Sequence, residues 1–271
     1  MLSPAQISLF RKKIWLFYRA SGRCFSWRHV DDPYRVMVSE VMLQQTQTHR
    51  VAPKYELFLL EFPTLALLAD TNLRDLLSVW QGLGYNRRAR YLRDAARLLM
   101  DDHGGVIPNS TDELQKMPGI GHATASAICA YAFNEPVVFI ETNIRAVFIH
   151  TFFPGAERVH DRELVSLIEQ TVDRNNPRDW YYALTDYGVM LKAQHANPSR
   201  RSRHHVKQSK FEGSDRQIRG AILRLLSRDG VLSLDLLLDR LGGSQERFAR
   251  IIDGLVSDEL VVWQDNRLQI A

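Results

Sequence analysis

The chain has 271 residues, 45% hydrophobic and 24% charged, the balance of a globular protein with room for one large domain or two ordinary ones. No apolar run approaches the length of a membrane span and the N-terminus lacks a secretory pattern, so the reading is cytoplasmic, nucleoid-associated if DNA is bound, with no membrane partner. The net charge of +4 and pI of about 9.1 are common among proteins that bind no polyanion and exclude little. The two cysteines do exclude something. Cys24 and Cys129 stand far apart, outside any Cys-x-x-Cys or Cys/His cluster, so a zinc or iron–sulfur site built on thiolates has no ligands and no metal site is expected.

In chain order, Ile7, Phe10, Ile14 and Phe17 recur at helical spacing, with Lys12 and Lys13 between them. Pro33 opens a helical stretch through Val36, Glu40 and Leu43, and Pro53 starts another. Pro63-Thr64 caps a third helix and Asn72 a fourth that runs to Trp80. Gly82-Leu83-Gly84 interrupts. Arg87 to Met100 then places Ala89, Leu92, Ala96 and Leu99 on one face, stopped by His103-Gly104-Gly105. Residues 111–133 predict two helices around Pro118-Gly119-Ile120-Gly121. No sustained alternation precedes residue 255, which predicts an all-α domain over 1–196.

Residues 197–213 change character and are expected to form a basic linker or loop. Arg200, Arg201, Arg203, Lys207 and Lys210, with His204 and His205 between them, suit either a polyanion or plain solvent. Over 214–271, three helices are predicted: Ile218, Ile222 and Leu225 on one, Leu234 to Leu241 behind Ser233, and Phe248 to Leu255 behind Ser244. A β-hairpin turning at Asp265-Asn266 follows. That order is winged-helix-like, and such modules contact either DNA or other proteins.

Pro118-Gly119-Ile120-Gly121 removes side chains where the backbone must come close to something. Its amides, with the following helix N-terminus, form a seat for phosphate, the pattern of a helix-hairpin-helix that grips the DNA backbone without reading sequence. On either side stand Glu40, among Val38, Val41, Met42 and Leu43, and Glu141, after Val137-Val138-Phe139-Ile140. Either is an acid in an apolar setting with a raised pKa, or a surface or helix-capping group. His122 is assigned at most a phosphate contact.

Ser39-Glu40-Val41-Met42-Leu43-Gln44-Gln45-Thr46-Gln47, Trp80-Gln81-Gly82-Leu83-Gly84-Tyr85 and Met117 to Ala125 resemble three motifs of the MutY adenine glycosylases, within the helix-hairpin-helix (HhH-GPD) DNA glycosylase superfamily. The likeness runs from about Ile7 to Met190. It implies a base-excision-repair enzyme that flips a mispaired base out of double-stranded DNA and hydrolyses its N-glycosidic bond, most simply adenine opposite guanine or 8-oxoguanine. Glu40 protonates the base, and Glu141 and Asn143 stabilise the sugar cation and the incoming water. DNA contacts are expected from Gln44, Gln45 and Thr46, from Leu83, Gly84 and Tyr85, and from Pro118, Gly119, Gly121, His122 and Thr124. Arg200, Arg201, Arg203 and Lys207 add phosphate contacts, with Gln45 and Tyr85 intruding into the duplex.

Four departures qualify the resemblance. Glu141 stands where the family usually has Asp. Ala123 occupies the position of the lysine that relatives use to nick DNA, which implies a monofunctional enzyme. No cysteines follow Met190, which implies no iron–sulfur cluster and no cofactor. The segment after Gly213 is too short for the family's larger C-terminal domain. The expectation is thus a monomeric, clusterless glycosylase. Uracil or thymine excision by the same fold, and a non-catalytic DNA-binding winged-helix protein, are the rival readings.

Overall fold

The computed structural model describes residues 1–271, and its elements follow local signals. Helix α1 (Pro4–Ser21) starts at Ser3, whose hydroxyl accepts from the Gln6 amide while the Gln6 side chain accepts from the Ser3 amide. Next come α2 (Pro33–Leu43) and α3 (Thr48–Glu61). Here the expectation is corrected: α3 begins at Thr48 and carries Pro53 inside it. Proline deletes one helical hydrogen bond, but Val51, Tyr55 and Phe58 form a buried stripe that spans it.

Thr64 and Asn72 cap α4 (Leu65–Asp70) and α5 (Leu73–Trp80), as the sequence predicts. Helix α6 (Arg87–His103) stops at Gly104, whose φ of 59° is the left-handed conformation that ends helices. The predicted helical pair is α7 (Thr111–Leu114) and α8 (His122–Phe133), followed by α9 (Thr142–Phe152), α10 (Asp161–Thr171) and α11 (Pro177–Gln194). The C-terminal part holds α12 (Asp215–Asp229), β1 (Leu232–Ser233), α13 (Leu234–Leu241), α14 (Gln245–Ser257), β2 (Val261–Gln264) and β3 (Arg267–Ile270). Its three helices and hairpin are those expected. Asp265 and Asn266, both at positive φ, make the tight turn. Strand β1, too short to show a pattern, completes an antiparallel sheet of order β1-β3-β2, with Leu232 opposite Leu268 and Val261 opposite Ile270.

Two compact units result, each drawn from three stretches of chain. One comprises Met1–Glu40, Pro108–Lys116 and Ile120–Lys207. In its core Phe10 meets Phe148 and Trp180 edge-on at 5.4 and 5.9 Å, and α9 packs along α11. Gly188 of α11 makes that packing possible: a Cβ there would lie 2.4 Å from the Asn143 carbonyl oxygen. A 3₁₀ turn at Pro198–Arg201 packs on α9, burying Pro198 and Ser199, and Ser202 bridges to Val159.

The other unit comprises Val41–Ile107, Met117–Gly119 and Gln208–Ala271. Phe58 and Trp80 meet at 6.0 Å within it, α4 lies on α6, and α12 packs on α5. Ile222, Leu226, Leu237, Phe248, Leu255 and Leu268 form the apolar centre of its C-terminal part.

Candidate active site

Glu40 is half-buried on α2. Near it are Tyr131 of α8 and Tyr182 of α11, stacked at 4.4 Å with planes 8° apart, and both feel its charge. The Arg28 guanidinium lies 4.5 Å from the Tyr182 ring centroid. Arg28 is itself committed. It donates to both carboxylate oxygens of buried Asp186 at 2.7 and 2.8 Å and to the Arg23 carbonyl at 2.7 Å. Asp186 also accepts from the Arg23 amide and Nε. Burial opposes both charges, yet these bonds hold Arg28 protonated and keep Asp186 below its usual pKa. So Glu40 has a cation nearby but no salt bridge of its own.

Glu141 is the N-cap of α9. Its Oε1 accepts from the Ile144 amide at 2.7 Å and its Oε2 from the Asn143 side-chain amide at 2.9 Å. Asn143 Oδ1 is buried and accepts no hydrogen bond within the protein.

The Glu141 charge reaches Glu40, and the surroundings of the two carboxyls differ. Burial first, then the Glu141 charge, raises Glu40 from 4.5 to about 8, with only Arg28 opposing. Burial also raises Glu141, but the Asn143 and Ile144 bonds and the charges of Lys192 and Arg145 pull it back. Burial thus raises both carboxyls, and Glu40, which has the fewer groups opposing it, is the one that keeps its proton to about pH 8. The capping reading of Glu141 holds, and the cap bonds favour its charged form against burial.

In the second unit, Gln45 and Tyr85 both have left-handed backbones, with φ of 53° and 49°, and both side chains are exposed. Non-glycine residues rarely adopt that conformation, which aims each side chain off its loop. Arg88 holds the two loops together. Nη1 donates to the Val41 and Met42 carbonyls at 2.7 and 2.9 Å; Nη2 donates to Thr46 Oγ1 at 2.9 Å and the Gly84 carbonyl at 3.2 Å. Its guanidinium also lies 5.4 Å from the Tyr85 ring centroid. Gln44 donates across to the Gly119 carbonyl at 3.2 Å.

The hairpin turn needs its first glycine. Gly119 has φ of 74°, and a Cβ there would meet Tyr91 at 2.8 Å. Gly121 faces open space and begins α8 with no side-chain cap, and His122 and Ala123 are exposed. Pro118 is half-buried beside them.

Two candidate contacts lie elsewhere than expected. Leu83 is 2% exposed, so its side chain belongs to the core. Arg201 donates to the Phe153 and Ala156 carbonyls at 2.8 and 3.2 Å, closing the end of α9 rather than facing outward. Arg200, Arg203 and Lys207 are exposed, although Arg203 also meets the His160 ring at 2.7 Å. The surface hollows around Ile7 and Arg11, and around Gln217 and Arg247, contain none of these candidate residues.

Sequence reading missed Arg28, Asp186, Lys192 and Arg88. Arg88 had a signal: it lies on the same face as Leu92, Ala95 and Leu99, the buried stripe of α6. Asp186 had one too, between Trp180, Tyr182 and Tyr187 on an otherwise apolar helix.

The chain thus carries a glycine hairpin that opens a helix without a side-chain cap, and two carboxyls whose pKa values burial raises. The chain belongs to the HhH-GPD superfamily of base excision DNA repair proteins, whose family model matches residues 38–170. Among curated relatives it is 34% identical over 188 residues to the adenine DNA glycosylase of Buchnera aphidicola subsp. Baizongia pistaciae, covering 68% of this chain and 53% of that one. It is 33% identical over 199 residues to the Homo sapiens adenine DNA glycosylase, covering 69% and 36%. The Mycobacterium tuberculosis adenine DNA glycosylase matches at 28% over 287 residues, 95% of this chain and 91% of that one. The chain thus spans about half the length of the first relative and nearly all of the mycobacterial one. Of solved structures, a thermostable thymine-DNA glycosylase superposes with TM-score 0.63 at 24% identity, over 71% of this chain and 90% of that one. An endonuclease III–DNA covalent intermediate superposes with TM-score 0.55 at 19% identity, over 78% and 92%. These two likenesses speak to the fold.

Proposed function

We propose that this protein is a monofunctional DNA glycosylase that hydrolyses the N-glycosidic bond of adenine mispaired with guanine or its oxidised form. The observation that carries the reading is the carboxyl pair: Glu40, raised to about 8 by burial and the Glu141 charge, and Glu141, held by the Ile144 and Asn143 amides. The adenine preference rests on the sequence relatives.

The departing base leaves with the bond's electron pair and takes the Glu40 proton. Positive charge then develops on the sugar, and the Glu141 carboxylate, fixed by the α9 amides, stabilises it. Asn143 Oδ1 is the acceptor that holds a water against the sugar carbon. The water adds there and its proton returns to the carboxyl pair, giving free adenine and an abasic site. Gln45 and Tyr85 fill the gap left by the flipped nucleotide, and the Gly119–Gly121 turn with the α8 N-terminus holds backbone phosphate. Ala123 supplies no amine for a Schiff base. An iron–sulfur cluster finds no donor set: Cys129 is buried with its thiol pKa pushed up to about 11, Cys24 lies over a hundred residues away along the chain, and 191–210 contains no cysteine. We take the enzyme to act as a monomer on duplex DNA, with 197–213 as the basic segment between the 1–196 and 214–271 domains.

The test incubates the protein with duplexes carrying each candidate mispair and scores abasic sites after alkali. Product from A-containing mispairs alone is expected, with strand scission only on alkali treatment. Release of uracil or thymine alone overturns the choice of base, and scission without alkali overturns the monofunctional assignment. Glu40→Gln should abolish release while binding persists; unchanged release removes the enzymatic reading.

A further inference from the structure

Tyr85, at 37% exposure, is the most outward side chain of its loop, and its hydroxyl does not stand alone. It accepts hydrogen bonds from Gln208 Nε2 and from Arg216 Nη1, the latter at 3.3 Å. Both donors come from the C-terminal stretch, more than a hundred residues further along the chain. Arg216, at the start of α12, is held in place: Nη2 donates to the Ser209 carbonyl at 2.7 Å and to Ser209 Oγ at 3.3 Å, closing 208–216 into a loop. Its Nε–H and second Nη1–H have no partner in the protein, and the Tyr85 hydroxyl keeps its own proton to donate.

The C-terminal part is fastened to the helices that bracket Tyr85. Arg87 pairs with Asp258 at 3.1 Å, Arg90 donates to the Asp258 carbonyl at 2.7 Å and pairs with Glu259 at 2.6 Å, and α12 packs on α5. The end of α6 nearest Tyr85 therefore carries the C-terminal part as a fixed attachment. On helix α14, Arg247 pairs with Asp215 at 2.8 Å and donates to the Gly213 carbonyl, while Arg250 stays exposed 3.9 Å from Asp215.

We propose that Gln208 and Arg216 are specificity-determining residues that read the base opposite the flipped nucleotide. This deepens the glycosylase reading and rests on it. A wedge at Tyr85 puts its hydroxyl at the level of the vacated base step. Successive bases are about 3.4 Å apart, so groups one hydrogen bond from that hydroxyl reach the edge of the unpaired partner. The chemistry selects the partner as well. Free arginine N–H donors suit a purine edge that presents acceptors: guanine offers O6 and N7, 8-oxoguanine carries a proton on N7 but keeps O6 and adds O8, and cytosine offers a donor at the corresponding edge. The short C-terminal part then sets opposite-base preference, with no large reading domain required.

The experiment uses the full-length chain and its Arg216→Ala, Arg216→Lys and Gln208→Ala variants. Single-turnover adenine release is measured opposite guanine, 8-oxoguanine and cytosine. Equilibrium binding is measured in parallel to duplexes holding a non-cleavable abasic analogue opposite the same bases. Wild type should prefer the guanines in both assays. Arg216→Ala should shrink that preference by about 5- to 100-fold, the range for losing one good base contact, and Arg216→Lys should restore part of it. Equal weakening against every opposite base assigns the pair a structural role and overturns the proposal, as does unchanged preference. The binding arm separates the two readings. A wild type that releases no base yet binds guanine-opposed duplexes preferentially through Arg216 sinks the glycosylase and leaves the reader standing.

Discussion

Replacing Glu40 by glutamine should make the protein more stable near neutral pH while destroying its chemistry. The folded carboxyl has its pKa raised from 4.5 to about 8, by burial first and the Glu141 charge second. Between those two values the unfolded chain carries the charge and the folded one does not, so the folded state binds one more proton and stability falls as pH rises. Each unit costs about 1.36 kcal/mol. At pH 5 the penalty is about 0.8 kcal/mol, at pH 7 it is about 3 kcal/mol, and above pH 8 it levels off. Glutamine, neutral throughout, carries no such penalty. Calorimetry of both proteins at pH 5 and pH 7 should show Glu40→Gln melting roughly 6–10 °C higher at pH 7 and only a degree or two higher at pH 5. An equal gain at both values would mean that the substitution merely repacks the site. No gain at all would mean that Glu40 ionises freely and is not the acid.

Three further outcomes follow from the same geometry. On the proposed mechanism, base release under single turnover should fall roughly tenfold per unit above about pH 8 as Glu40 loses its proton, and fall again at acid pH as Glu141 gains one; a rate climbing through pH 8 contradicts this. Arg88→Met strips a buried cation from four acceptors, two at the end of α2 and one on each of the loops that follow α2 and α5. It should lower stability by about 3 kcal/mol in urea titration and slow release even at saturating DNA; Arg88→Lys should recover little, since an ammonium cannot span both loops. Gly188→Ala, with its methyl 2.4 Å from the Asn143 carbonyl, should cost about 1–3 kcal/mol and cut release further than binding. A variant with wild-type release would separate Asn143 from the reaction.

The sequence carried the helical framework well because its punctuation is local. Thr64, Asn72, Ser233 and Ser244 cap where they stand, and Gly104, Gly230 and Gly242 stop their helices. It mislocated the start of α3, where a tertiary stripe outweighs a proline. Of the site, the carboxyls were legible because apolar neighbours surround them in the chain itself. The division of labour between them was not, since it depends on which backbone amides reach Glu141 and on where Arg28 is engaged. Arg88 hid in the run Arg87-Arg88-Ala89-Arg90, which reads as a solvated basic face until its helical phase is compared with Leu92 and Leu99. Arg201 was misjudged for the opposite reason: a charge in a basic run was turned inward by unsatisfied carbonyls at the end of α9.

The interleaving of the two units has a practical consequence for anyone dissecting this protein. One boundary falls inside α2, between Glu40 and Val41, and two more flank Met117–Gly119 in the hairpin turn. No single cut in the gene yields two self-sufficient fragments, because each core is stitched from segments that the other interrupts. Trimming the last sixty-odd residues would uncover an apolar side of α5, strand the Arg87 guanidinium without its acid and leave Arg90 only Asp94. Point substitutions, rather than truncations, are the instrument this architecture permits.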